Sequence, residues 1–133
     1  MAQLDVMFTM DCEAIAQMSK EGGPVDWDIC KRAMEGYCDT LLQKGLKPTL
    51  FIVPHTAQHA ASVLLELQKA GAELGLHLHP QDYGYDDYLG GFNYEEQYSM
   101  LQEACDRWSN SLGQMPKSFR GGNFSANDHT FGV

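Results

Sequence analysis

The chain has 133 residues, with 18 acidic and nine basic side chains and a formal net charge of −9. That balance argues against nucleic acid and anionic membranes as partners, because both demand clustered Lys and Arg. No run of about 18 apolar residues is present, so no transmembrane helix is expected. The start of the chain shows no basic segment followed by an apolar one, so no signal peptide is expected and the location is read as cytoplasmic. Apolar residues make up 44% of the sequence, enough for a packed core. With no composition break, residues 1–133 read as a single domain or part of one. Cys12, Cys30, Cys38 and Cys105 form no C-x-x-C pair. Cys30 and Cys38 lie eight residues apart in one predicted helix, roughly 12 Å along its axis, so reduced thiols are expected rather than a disulfide.

The elements follow in order. Leu4 to Met10 reads as an apolar strand, and Ser19 to Pro24 as a polar connection. Trp27, Cys30, Met34, Tyr37, Leu41 and Leu42 recur at helical steps, with Gly45 as the stop. Thr49 to Val53 is a second strand ending at Pro54. Thr56 is expected to cap one helix carrying Ala60, Val63, Leu64 and Leu67 and ending at Gly71. Glu73 to His79 is a third strand. A loop from 80 to 92 is rich in Asp, Gly and Tyr. Asn93 is expected to cap a third helix whose apolar face carries Tyr94, Tyr98, Leu101, Cys105, Trp108 and Leu112. Ser118 to Gly122 is a fourth strand, and Ser125 to Phe131 reads as the start of a fourth helix. Such alternation predicts an α/β fold of parallel strands joined by crossover helices.

Parallel βα units present functional groups at the C-terminal ends of their strands. Three of the four predicted strands end in ionisable residues there. Asp11 and Glu13 share a strand face with Thr9. Taken alone, they also suit an Asp that caps the following turn beside a solvated Glu. His77 and His79 share the face of Glu73 and Gly75, opposite Leu74, Leu76 and Leu78. Buried there, two imidazoles need partners, and a divalent metal satisfies both, although the wet side of a strand would account for the pair as well. Arg120 precedes a Gly-Gly-Asn turn. Near Asp11 its guanidinium would keep that carboxylate ionised and oriented, and a surface ion pair is the simpler reading. Tyr83, Tyr85 and Tyr88, interleaved with acids, suit either a sugar-binding loop or a loop packed by its own rings. His55 and His59 flank a helix start and are expected at the surface. Asp82, Asp86 and Asp87 fail the spacing of an EF-hand loop.

Together these segments resemble the polysaccharide deacetylases of the NodB-homology type, carbohydrate esterase family 4. Phe8-Thr9-Met10-Asp11-Cys12-Glu13 resembles the first motif, Glu73 to His79 the second, and Ser118 to Phe124 the third. Pro48 to Val53 resembles the second strand. The resemblance implies part of a distorted (β/α) barrel, with Asp11 as catalytic base and Arg120 holding it. It implies a divalent metal, zinc, on Glu13, His77 and His79. It also implies a backbone N–H near Asn123 or Phe124 facing the substrate oxygen. The expected reaction is removal of acetyl groups from an N-acetylated saccharide. The sequence departs from the family in its D-x-E spacing and in histidines two rather than four apart. The family's last two motifs, with their catalytic His, would lie beyond Val133. The chain is therefore expected to match an N-terminal portion and to be weak or inactive by itself. Three alternatives accompany this reading. One is an allantoinase-like hydrolase of a small amide. Another is a glycan-binding module using the three tyrosines. The last is a truncated fold whose open sheet edge is covered in a homo-oligomer.

Overall fold

The computed structural model describes residues 3–133. Strands β1 (Phe8–Cys12), β2 (Pro48–Ile52), β3 (Glu73–Leu78) and β4 (Phe119–Gly121) form one sheet in the order β1-β2-β3-β4. All three pairings are parallel. The sheet curls into half of a barrel, with helices on its outer side. Helix α1 (Trp27–Leu42) joins β1 to β2. Helices α2 (Pro54–His59) and α3 (Ala61–Ala70) join β2 to β3, and α4 (Tyr94–Leu112) joins β3 to β4. The register aligns Asp11 with Phe51, Phe51 with Gly75, and His77 with Arg120. Those residues occupy the concave face.

The convex face supplies the core. Leu50, Ile52, Leu74, Leu76 and Leu78 pack with Met34 and Cys38 of α1, Leu64 and Leu67 of α3, and Met100, Ala104 and Trp108 of α4. Strand alternation sends these apolar side chains outward to the helices and leaves the polar set inside. Helix α1 starts where the Asp26 carboxylate accepts from the Ile29 N–H at 2.8 Å. Helix α4 starts on a capping box between Asn93 and Glu96, as Asn93 predicts.

Five sequence expectations are corrected. The first strand begins at Phe8, not Leu4, and Leu4, Val6 and Met7 are exposed. The helix after β2 is two helices that break at Ala60. Pro54 occupies the first turn, so Thr56 is not a cap but a buried residue within α2. On α4 the buried face is Gln97, Met100, Ala104, Trp108 and Leu112, with Tyr94 and Tyr98 exposed. An i, i+3, i+4 pattern fits both sets in its C-terminal half. What selects the face is a polar residue: Gln97 is fully buried and donates to the Phe92 carbonyl at 2.8 Å and to Asn127 Oδ1 at 2.9 Å. The segment Ser125 to Phe131 forms turns rather than a helix. There Asn127 donates to the carbonyls of Gly90 and Phe92, and Thr130 donates to Gln97 Oε1 at 2.7 Å. Finally, His55 is partly buried and accepts from Arg107 Nη2 at 3.0 Å, whereas His59 is exposed and stacks on Trp27.

All four cysteines are free thiols, as their spacing predicts. Burial, then the charge of Asp39, pushes the Cys38 thiol from its usual 9.0 up to about 11. A folded-state pKa above the unfolded one favours the protonated thiol, so Cys38 stabilises the fold fully below pH 9. That contribution is lost as pH rises through 11. The melting-temperature difference between wild type and Cys38→Val is expected to stay constant from pH 7 to 9 and to shift against wild type from pH 9 to 11. A pH-independent difference would contradict this.

Candidate metal centre and adjoining acid–arginine pair

The polar residues meet at the C-terminal rim of the strands. Glu13 follows β1, His77 is the fifth residue of β3, and His79 follows its end. Both histidines are buried, at 2% and 4% exposure. Glu13 Oε1 lies 3.1 Å from His77 Nε2 and 3.0 Å from His79 Nε2, and the two Nε2 atoms are 3.1 Å apart. Among the described residues this is the group of three whose ligand atoms converge.

The donor set fits a divalent metal. His77 Nδ1 lies 2.8 Å from the Arg120 carbonyl, so it carries the proton and donates, which leaves Nε2 with a lone pair facing the centre. A second imidazole nitrogen and a carboxylate oxygen face the same point, and a cation satisfies all three. Glu13 Oε2 is also buried without a partner among the described residues. Two imidazoles and one carboxylate make a set that zinc takes in catalytic sites with an open fourth position. Burial works to raise the Glu13 carboxyl, but hydrogen bonds and charge from His77 and His79 outweigh it and hold the group at about 2. The same contacts move His79 upward against burial, which works to lower it.

The backbone around the centre is fixed by contacts that the sequence conceals. Thr56 Oγ1 donates to the Glu13 carbonyl at 2.9 Å, so α2 anchors the end of β1. Gly122 lies directly against the His79 ring, where any Cβ would collide with the imidazole. Asn123 and Phe124 follow at φ 54° and 52°, two successive left-handed residues other than glycine. Such backbone costs about 1–3 kcal/mol per residue and concentrates at functional sites.

Beside this group, Arg120 Nη1 donates to Asp11 Oδ1 at 2.6 Å and Nη2 donates to Thr9 Oγ1 at 3.0 Å. The guanidinium carbon sits 4.1 Å from the Phe51 ring centroid and 5.4 Å from that of Phe124. Asn123 Nδ2 donates to Glu21 Oε2 at 3.2 Å.

The structure thus brings Asp11, Glu13, His77, His79 and Arg120 together at one rim, with Asn123 and Phe124 on the adjoining turn. The three tyrosines have separate surroundings. Tyr83 is turned toward α4, with Arg107 over its ring at 5.4 Å, and burial pushes its hydroxyl up to about 12. Tyr85 packs edge-on against Phe92, and Tyr88 is half-exposed. Phe51 and Thr56 join the site without a signal in their own segments, whereas Thr9 shares the strand face of Asp11 and Gly122 lies in the Gly-Gly-Asn turn that the sequence singles out. The register was the available signal for Phe51, because pairing β1 with β2 places it beside Asp11.

No protein-family model matches the sequence, and no curated protein matches it. Solved structures do. The peptidoglycan deacetylase PdaC from Bacillus subtilis superposes with a TM-score of 0.64 at 17% identity, over 95% of this chain and 52% of that one. A family 4 carbohydrate esterase from Streptomyces lividans, solved with acetate, gives 0.65 at 16% identity, over 96% and 55%. A family 4 acetyl xylan esterase from Clostridium thermocellum, solved with a cobalt ion, gives 0.64 at 18%, over 95% and 52%. The chain has the fold of a NodB-type deacetylase domain, a partial (β/α) barrel. It spans about half the length of the structures it matches.

Proposed function

We propose that this chain carries the metal-binding half of a hydrolase that removes acetyl groups from an N-acetylated saccharide. One observation carries the reading. Three metal-competent atoms from Glu13, His77 and His79 converge next to a carboxylate, Asp11, that is held by an arginine and is no part of the ligand set. A structural metal site has no use for the second acid, whereas hydrolysis needs a base beside the metal. The solved neighbours named as deacetylases and carbohydrate esterases support the substrate class.

Glu13, His77 and His79 hold the ion, and zinc fits the donor set. When bound, such an ion supplies Lewis-acid chemistry, lowering the pKa of water and drawing charge from a carbonyl oxygen. Asp11 takes the proton of the attacking water as general base. Arg120 keeps that carboxylate ionised and aims it, with Thr9 fixing the other end of the fork. The Asn123–Phe124 turn brings its backbone N–H groups to the rim, where they suit the carbonyl oxygen as its charge grows. The acetamide C–N bond then breaks as its nitrogen takes the proton that Asp11 accepted, which releases acetate and the free sugar amine and restores the Asp11 carboxylate. The orientation of Tyr83 takes one ring from the glycan-binding alternative.

Release of acetate from a chitooligosaccharide is the direct test, measured with zinc or cobalt and with chelator, beside allantoin as the competing small amide. Acetate release is expected to be metal-dependent and weak, since the chain spans about half the length of the deacetylase structures it matches. Turnover of allantoin alone would replace the saccharide reading, and acetate release that survives exhaustive chelation would end the metal-hydrolase reading.

A further inference from the structure

Arg120 stands on β4 and Asp11 on β1, with two strands between them. Neighbouring strands are spaced about 4.8 Å apart, so the side chain must cross the concave face even after the sheet curls. What lies beneath the crossing is specific. Phe51 on β2 and Gly75 on β3 are register partners, and Asp11 is the partner of Phe51. Gly75 offers no side chain. A Cβ there would come within 2.5 Å of Ser118 Oγ and within 2.9 Å of two carbon atoms of the Phe51 ring. The ring therefore lies over β3 in the space that glycine leaves, 6% exposed, and its face meets the guanidinium at 4.1 Å.

We propose that Phe51 is a positioning residue. It is the floor on which Arg120 crosses the half-barrel, and Gly75 is the position that admits that floor. A guanidinium can follow many paths to a carboxylate. A flat aromatic face removes those that dip toward the sheet, and attraction to the ring's negative face holds the plane of the fork against it. Thr9 then sets the rotation by accepting from Nη2, leaving Nη1 for Asp11. The Phe124 ring, 81% exposed, lies 5.4 Å from the guanidinium carbon and is the more distant of the two aromatic contacts. One short strand segment thus lays down a layer in which the aromatic ring and the glycine are as necessary as the charges. Arg120 meets His77 only through its backbone carbonyl, which a change in the Phe51 side chain leaves in place, so the effect falls on Asp11 and not on ion binding. The catalytic consequence rests on the hydrolase reading above, but the positioning role does not, and its test needs no turnover.

The test is the side-chain NMR spectrum of Arg120, assigned by loss of its signals in Arg120→Lys. In wild type the guanidinium N–H resonances are expected upfield of free arginine, from the Phe51 ring current, and to exchange slowly with water. In Phe51→Leu they are expected to move to free-arginine positions and to exchange about 3- to 30-fold faster, the range that cation–π energies imply. Zinc binding measured by calorimetry should be unchanged in the same variant. If Phe51→Leu does not fold, 3,4,5-trifluorophenylalanine at position 51 keeps the shape and depletes the ring face of negative charge, and a partial shift in the same direction is expected. Arg120 resonances that remain upfield and slowly exchanging in a folded variant would overturn the proposal. Loss of zinc binding in parallel would also overturn it, since that marks general disruption. Acetate release that survives exhaustive chelation would sink the hydrolase reading and leave this result standing.

Discussion

An Asp11→Asn variant is expected to release acetate about 10²–10⁴-fold more slowly than wild type while binding the same amount of metal, the range a positioned general base contributes. Asp11 is two residues from Glu13, yet the two carboxylates have separate partners. Glu13 Oε1 faces both imidazole nitrogens, and Asp11 Oδ1 takes the Arg120 hydrogen bond at 2.6 Å. The D-x-E spacing produces this split. With one residue between them, both acids leave the strand on its concave side, while Cys12 turns into the core at 2% exposure. Asparagine keeps the shape and can still accept from Arg120, but it cannot take a proton. Rate and metal content measured on the same preparation separate the two roles. A matching fall in both would mean that Asp11 helps hold the ion.

Trp108→Ala is expected to carry the largest stability cost, about 3–5 kcal/mol. Trp108 is 1% exposed and is the bulkiest side chain in the core, where α4 meets the sheet. The surrounding core is close-packed and can relax only partly into the void. For a chain of this length the melting temperature should drop by roughly 10–20 °C. Thermal unfolding followed by circular dichroism gives the number, and a fall of only a few degrees would mean that the core repacks.

Much of the site was legible because its residues sit at the ends of apolar strands. The period of two puts His77 with His79 and Asp11 with Glu13, and the parallel alternation puts all four at one end of the sheet. Arg120 could be placed at the same end, and its partnership with Asp11 followed from charge. What stayed hidden depends on contacts across the sheet and between elements. The floor under Arg120 needs the β1–β2–β3 register, which no single segment encodes. Thr56 looked like a cap because threonine before a helical pattern usually is one. Its hydroxyl goes instead to the Glu13 carbonyl, and Pro54 starts the helix two residues earlier. The face of α4 was misread because exposed Tyr94 and Tyr98 are as apolar as residues that bury. Nothing local announces that Gln97 is the buried one, held by Phe92, Asn127 and Thr130. The segment from Ser125 is turned by those same hydrogen bonds, which is why its helical pattern does not form a helix.

Isothermal titration of the metal-free protein with zinc probes the Glu13–His77–His79 centre itself. One equivalent should bind to wild type. His77→Ala removes a ligand whose Nδ1 is locked on the Arg120 carbonyl, and its affinity should fall by at least about a hundredfold, beyond the range seen when only supporting groups are lost. Equal binding by wild type and His77→Ala, or no binding by a folded wild type, would contradict the assignment of Glu13, His77 and His79 as a metal centre.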